Sequence, residues 1–301
     1  HNGYSVIKYI YEVFYMWLVF AVLSAVFAGI TAVLSKVGIK NVNSNLGTAI
    51  RTVVVLLFAW LMVFVAGAEK GISEISTRTL VFLVLSGLAT GASWLCYFRA
   101  LKYGDVNKVA PIDKSSTILT MLLAFIFLHE GITWLKAVCI VLIGGGTYMM
   151  IEKRDVSENT KGKSNWLVWA VLSAVFAALT SILGKVGVSD IDSTLGTAIR
   201  TFVVLIMAWV VVYATDSMEG IKGITAKTMV FLALSGVTTG LSWLCYYKAL
   251  KDGPASVVVP IDKLSILVTV AFSYIVFKER LTKKSLCGLF FIVCGTLLLL
   301  V

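Results

Sequence analysis

Charge is scarce in this 301-residue chain. Charged residues make up 14% of it and hydrophobic ones 59%, whereas soluble globular proteins carry about 25% charge. So little charge cannot coat a water-soluble domain, and a mean hydropathy of +0.93 makes the chain an integral membrane protein. Proline is rarer still, with three residues in all. Apolar runs of ~20 residues can therefore continue as helices, whereas a transmembrane barrel would show alternating segments of about ten. The fold class is all-α. The two histidines, His1 and His129, have no partner pattern, which argues against a metal site. Cys96, Cys139, Cys245, Cys287 and Cys294 all fall within apolar segments without CxxC or Cys/His spacing, and are read as packing residues. Neither a Gly-rich phosphate loop after a strand nor a Ser/His/Asp arrangement is present, so no cofactor or enzymatic chemistry is implied. The net charge of +10 is scattered through short connectors. Nucleic-acid binding needs a clustered basic face, so these residues are read as topogenic signals instead.

What is abundant is repetition. Adding 149 to each number from Trp17 to Met150 aligns the chain with Trp166 to Leu299 without a gap, and roughly half of the aligned positions are identical. Leu46-Gly-Thr-Ala-Ile-Arg-Thr52 returns as Leu195 to Thr201, and Ser93-Trp-Leu-Cys-Tyr97 as Ser242 to Tyr246. This is an internal duplication. Each copy holds five apolar spans, at about 17–37, 46–66, 80–101, 109–128 and 135–151, then 166–188, 195–215, 229–250, 257–277 and 286–301. The expected organisation is an extension at 1–15, which lacks a signal-peptide pattern and leaves Met16 as a candidate start, a first repeat at 16–151, a polar linker at 152–165 and a second repeat at 166–301.

An odd number of crossings per repeat makes the second copy enter the bilayer from the opposite side, giving a 5+5 inverted-topology repeat. Connector charges agree. In the first repeat Lys36, Lys40, Arg99, Lys102 and Lys108 follow spans one and three, against Lys70, Arg78 and Lys136 after spans two and four. The bias reverses in the second repeat, where Lys222, Lys227, Lys278, Arg280, Lys283 and Lys284 outnumber Lys185, Lys248 and Lys251. Under the positive-inside rule one physical side is then cytoplasmic for both repeats, and both termini lie outside.

The chemistry concentrates at Val109-Ala-Pro-Ile-Asp-Lys-Ser-Ser-Thr-Ile-Leu-Thr120, copied as Val258 to Thr269. An ionisable group at membrane depth costs roughly 2.5–3.5 kcal/mol on insertion scales, so a chain carrying Asp113-Lys114 and again Asp262-Lys263 is read as using them. Helical spacing puts Asp113, Ser116 and Thr120 on one face, likewise Asp262, Ser265 and Thr269, with each lysine about 100° away. Adjacent helical residues do not face each other, so each Asp needs a partner from another span, and Arg51 and Arg200 are the basic candidates. A fixed Asp–Arg or Asp–Lys bridge is one reading, snorkelling of Lys114 and Arg51 to the interface another, and a coupling role for Asp113, Lys114, Asp262 and Lys263 the third. In span three, Ser86, Thr90, Ser93 and Tyr97 form a stripe beside Gly87, Gly91 and Trp94, and the second copy repeats it as Ser235, Thr239, Ser242 and Tyr246 beside Gly236, Gly240 and Trp243. The stripe reads either as close helix packing with hydroxyl bonds to neighbouring backbone or as a cavity lining in which Trp94, Tyr97, Trp243 and Tyr246 stack on a ligand. Gly144-Gly-Gly146 reads as close packing rather than anion binding.

With the duplicated ten-span plan, the span-four endings Phe127-Leu-His-Glu130 and Phe277-Lys-Glu-Arg-Leu-Thr282, and the pairs Gly146-Thr147 and Gly295-Thr296, the chain after Met16 resembles the EamA-type drug/metabolite transporter superfamily. The resemblance implies a multi-pass carrier in a bacterial inner membrane, a central cavity between two five-helix halves, and a small metabolite as substrate. It also implies cytoplasmic termini, opposite to the charge count, and the Asp-Lys pairs are not part of the general family pattern.

The expectation is a secondary active transporter of a small polar or amphipathic metabolite, working by alternating access, with proton coupling through Asp113 and Asp262. A carboxyl group whose partner separates during the motion changes its proton affinity between states. Ser93, Ser242, Arg51 and Arg200 join the four aromatics as candidate substrate contacts. Four buried bases against two acids favour an anionic or zwitterionic solute, while the aromatics favour cations or rings. The alternatives are a passive channel and a non-transporting assembly or lipid-binding scaffold. The partners expected are lipid and a small-molecule substrate, without nucleic acid, and the oligomeric state stays open.

Overall fold

The computed structural model describes residues 2–38, 42–103, 109, 112–150, 166–215, 217–218, 224–277 and 282–301. The polar linker at 152–165, Pro111, and connector residues such as Lys40, Lys108, Lys222 and Lys278 lie outside the described residues. Within them the chain is helical, without strands. The helices are α1 (Asn2–Gly38), α2 (Ser44–Ala66), α3 (Thr77–Tyr103), α4 (Ser116–Phe127), α5 (Trp134–Met149), α6 (Trp166–Val188), α7 (Ser193–Ala214), α8 (Ala226–Asp252), α9 (Ala255–Lys263), α10 (Ser265–Phe277) and α11 (Lys283–Leu298). Seven segments are long and apolar enough to cross a membrane, α9 and α10 counting together as Ala255–Phe272, and α5 is a shorter apolar helix. Their outward faces carry exposed Leu57, Leu61, Phe64 and Val65 on α2 and Phe202, Ile206 and Tyr213 on α7, as lipid contact requires.

Local sequence sets the helix ends, and it does so twice. Asn43 and its copy Asp192 each accept from backbone N–H groups in the first turn, at 2.9 Å from Asn45 and 2.8 Å from Thr194. Ser76 and Thr225 do the same for Thr79 and Thr228, and Thr133 and Thr282 for Lys136 and Ser285. A hydroxyl, carboxamide or carboxylate one residue before the helix satisfies N–H groups that have no partner within it. At the end of α2, Gly67 adopts φ +67°, where a side chain would be strained.

Span four, expected as one continuous helix, is broken just after the Asp-Lys pair in both copies. At the break the Ser115 N–H donates to Ile112 O and the Leu264 N–H to Ile261 O, a switch from i−4 to i−3 bonding. Ser115 Oγ also donates to Ile112 O at 2.6 Å. Pro260 within α9 has no N–H to give to Ser256 O, which opens the ladder just ahead of the break. In the second copy the common face is lost, since Asp262 lines one cavity while Ser265 and Thr269 line another; in the first copy Asp113 and Ser116 still share a cavity.

The most extensive helix pairings all join one repeat to the other: α3 with α6, α1 with α8, α5 with α11, and α2 with α7. The repeats are therefore interleaved. By their remaining contacts the helices group as α3, α4, α6 and α7 in one lobe and α1, α2, α8, α9 and α10 in the other, with the α2–α7 pairing joining the two. The packing is duplicated in detail. A Cβ at Gly87 would lie 2.7 Å from Val203 Cβ, and one at the equivalent Gly236 2.7 Å from the equivalent Val54 Cβ. At the α5–α11 crossing a Cβ on Gly146 would meet Gly288 O at 2.5 Å, and the reverse holds, so the glycine run serves close approach.

Candidate functional site

Two cavities open between the lobes, and they share Ala28 and Lys263. The first, about 310 Å³, is walled by Thr90, Ser93 and Trp94 of α3, Ala177, Thr180 and Ser181 of α6, Arg200 of α7, Ser242, Trp243, Tyr246 and Tyr247 of α8, and Asp262 and Lys263 of α9. The second, about 460 Å³, holds Asp113, Lys114, Ser116 and Thr117 beside Lys263, Ser265 and Thr269. Each broken span thus presents its Asp-Lys pair to polar space.

Neither aspartate meets an arginine or a lysine in an ion pair among the described residues; each meets serines instead. Ser24 Oγ donates to Asp262 Oδ1 at 2.6 Å, and its copy Ser173 donates to Asp113 Oδ1 at 2.8 Å. Behind them, Ser242 Oγ donates to Ser24 O at 3.1 Å, and Ser93 Oγ to Ser173 O at 3.0 Å. Each cluster draws on both repeats and stays within one lobe. The charged acceptor shortens the bond. Ser24 and Ser173 were missed in the sequence, although Ala-Val-Leu-Ser-Ala-Val-Phe-Ala stands identically at 21–28 and 170–177 with one polar residue in each run.

The arginines, the basic candidates for pairing with the aspartates, bond to hydroxyls instead. Arg51 donates from Nη1 to Ser35 Oγ at 2.7 Å and lines neither cavity. Arg200 is 3% exposed, donates from Nε to Ser86 Oγ at 2.9 Å and from Nη2 to Thr90 Oγ1 at 2.6 Å, and lies 5.2 Å from the Trp243 ring centre and 4.8 Å from that of Tyr247. Its Nη1 is buried without a hydrogen-bond partner. Burying a cation without a counter-charge is costly, and aromatic faces offset only part of that cost.

Both readings of the serine stripe apply, and Ser93 serves both. Ser86 and Ser93 donate to carbonyls of α6, at 2.7 Å to Thr180 O and 3.0 Å to Ser173 O, which is packing. Thr90, Trp94, Trp243 and Tyr246 line the first cavity, and Tyr246 crosses it by donating to Ser181 Oγ at 2.8 Å. Tyr97 does not line it and packs with Ile112, Trp166 and Trp169 around Ala100, Val109 and Ala170. Lys114 faces the second cavity.

On one side of the cavities the lobes are pinned together. Glu130, just after α4, accepts from the Ala255 N–H at 2.7 Å and the Ser256 N–H at 2.9 Å, at the start of α9. Lys185 of α6 lies 3.9 Å from Glu130 and donates to Leu250 O at 3.0 Å and to Gly253 O. Lys251 of α8 returns the contact by donating to Ile191 O at 2.5 Å.

Duplicated apolar helices, a broken span in each copy and polar cavities between the lobes define a multi-pass membrane protein of the transporter class. Comparison with known proteins gives the family: the EamA-like transporter family matches residues 15–152 and again 164–301, and the chain belongs to it. An uncharacterized transporter in the cobO 3' region of Sinorhizobium sp is 46% identical over 134 residues, covering 95% of that protein but 44% of this chain, so that relative is about the length of one repeat. An S-adenosylmethionine uptake transporter of Rickettsia bellii is 26% identical over 72% of this chain and 71% of its own. A crystal structure superposes with a TM-score of 0.72 over 93% of this chain and 94% of its own at 14% identity, a likeness of fold.

Proposed function

We propose that the chain is a secondary active transporter with ten crossings in two inverted repeats, 16–151 and 166–301, that moves a small polar or amphipathic metabolite by alternating access. The observation that carries this reading is the pair of Asp–Ser–Ser clusters at broken spans, each beside a cavity between the lobes. The interleaved packing supports a motion of the mixed lobes rather than of the two sequence halves. Each aspartate keeps its serine within its own lobe, so what changes for it between states is the hydration of its cavity. Asp113 and Asp262 are the proposed proton sites, and the relative named for S-adenosylmethionine uptake supports a small-metabolite substrate. Purified protein in liposomes is expected to catalyse saturable, proton-gradient-dependent flux of a small solute. Non-saturating leak across a broad solute panel would overturn the carrier in favour of a channel, and absence of flux would favour a scaffold.

A further inference from the structure

Each repeat leaves one arginine nitrogen buried without a partner, Nε of Arg51 and Nη1 of Arg200, and the two differ in what holds the rest of the guanidinium. Arg51 and Arg200 are equivalent, and so are positions 35 and 184, where the first repeat has Ser and the second Gly. Ser35 occupies Nη1 of Arg51. At Gly184 no hydroxyl is available, and a Cβ there would stand 2.5 Å from Tyr247 Cε1, so the glycine also makes the room in which Tyr247 lies against Arg200. The equivalent of Tyr247 is Phe98. Arg200 is thereby left 3% exposed, on the wall of the first cavity, with Nη1 unpartnered.

We infer that Arg200 is the anchor for a carboxylate carried by the transported solute, a deepening that rests on the carrier reading above. The fixed charges lining the first cavity are Arg200, Lys263 and Asp262, an excess of one positive charge that a monoanionic group neutralises. A guanidinium already held by Ser86 and Thr90 is pre-organised, so the incoming carboxylate meets a donor whose orientation is fixed. Trp94, Trp243 and Tyr246 offer ring faces to an apolar body attached to that carboxylate. The second repeat is thus the binding repeat, since Arg51 of the first gives its Nη1 to Ser35 and lines neither cavity.

The test uses the full chain in detergent and three probes of one shape: 3-phenylpropanoate, its neutral amide, and phenethylamine. Intrinsic tryptophan fluorescence and melting temperature are followed on titration. The expected result is saturable binding of 3-phenylpropanoate with at least tenfold weaker binding of the amide and the amine. Gly184→Ser with Tyr247→Phe transplants the first repeat's arrangement and is expected to weaken 3-phenylpropanoate at least tenfold in a protein that still melts cooperatively. Arg200→Lys, which keeps the charge but not the fork, is expected to do the same. Binding of the amine or amide as tight as that of the carboxylate, no saturation by any probe, or an unchanged affinity in the Gly184→Ser, Tyr247→Phe protein would each overturn the assignment. Binding is read without transport, so carboxylate binding by a protein that moves no solute in liposomes would sink the carrier and leave the anchor standing.

Discussion

Two side chains in the bilayer carry the coupling hypothesis, and they differ from the arginines in how they are satisfied. Asp262 and Asp113 each accept a hydrogen bond from a serine of the other repeat, so an Asn in either place can keep an acceptor oxygen toward Ser24 or Ser173. Asp262→Asn and Asp113→Asn are therefore expected to fold, with a stability loss of about 1–2 kcal/mol for exchanging a charged for a neutral acceptor. They are expected to lose proton-driven accumulation and to keep exchange. Uphill uptake, counterflow and thermal melting on each variant check this, and normal accumulation in the double variant would eliminate both aspartates as proton sites. Ser24→Ala serves as the positional control: it removes the donor while keeping the carboxylate, so it is expected to weaken melting yet leave uphill transport coupled.

At the scale of helices, much of the molecule was legible. Span positions follow from apolar runs, and the caps at Asn43/Asp192, Ser76/Thr225 and Thr133/Thr282 are local chemistry that the 149-residue offset displays twice. The partners of the charged groups were not legible, because the offset says which residues are equivalent and not which ones touch. Charge pairing pointed to Arg51 and Arg200, yet single serines in otherwise apolar runs reach the aspartates. The break in span four has a weak signal in Pro111 and Pro260, since proline is tolerated in membrane helices and need not break them. The role of the glycine run was legible, and it yields a prediction. A Cβ on Gly288 would lie 2.5 Å from Gly146 O and 2.9 Å from Met149 Cβ, backbone and near-backbone atoms that cannot swing aside. Gly288→Ala is expected to separate α5 from α11 at a cost of about 1–3 kcal/mol, the usual range for overpacking. Gly145, where an added Cβ meets nothing within 4 Å, is the matched control. Equal melting of Gly288→Ala and Gly145→Ala would show that this crossing is not close-packed.

Across the whole molecule, the two lobes are pinned by Glu130, Lys185 and Lys251. Their copies by the 149-residue offset are Glu279, Lys36 and Lys102, the same residue types in every case. A duplication that inverts topology puts such copies on opposite faces of the bilayer, so an alternating mechanism would form one clamp as it releases the other. Charge-assisted bonds from two N–H groups to one carboxylate form where the lobes meet, which in an alternating mechanism would make Glu130 a term in the equilibrium between states. Glu130→Gln keeps the shape and removes the charge, and it is expected to shift the population toward the state open on that face. Ser256 is fully buried beside this clamp, so Ser256→Cys reports on it through a membrane-impermeant maleimide. Labelling is expected to rise severalfold with Glu130→Gln and to fall below the parent level with Glu279→Gln, the copy by offset in the other repeat. A static scaffold gives the first effect by local loosening but has no route to the second. Labelling that ignores Glu279→Gln would therefore rule out reciprocal clamps, and with them the motion of the lobes about the shared cavity.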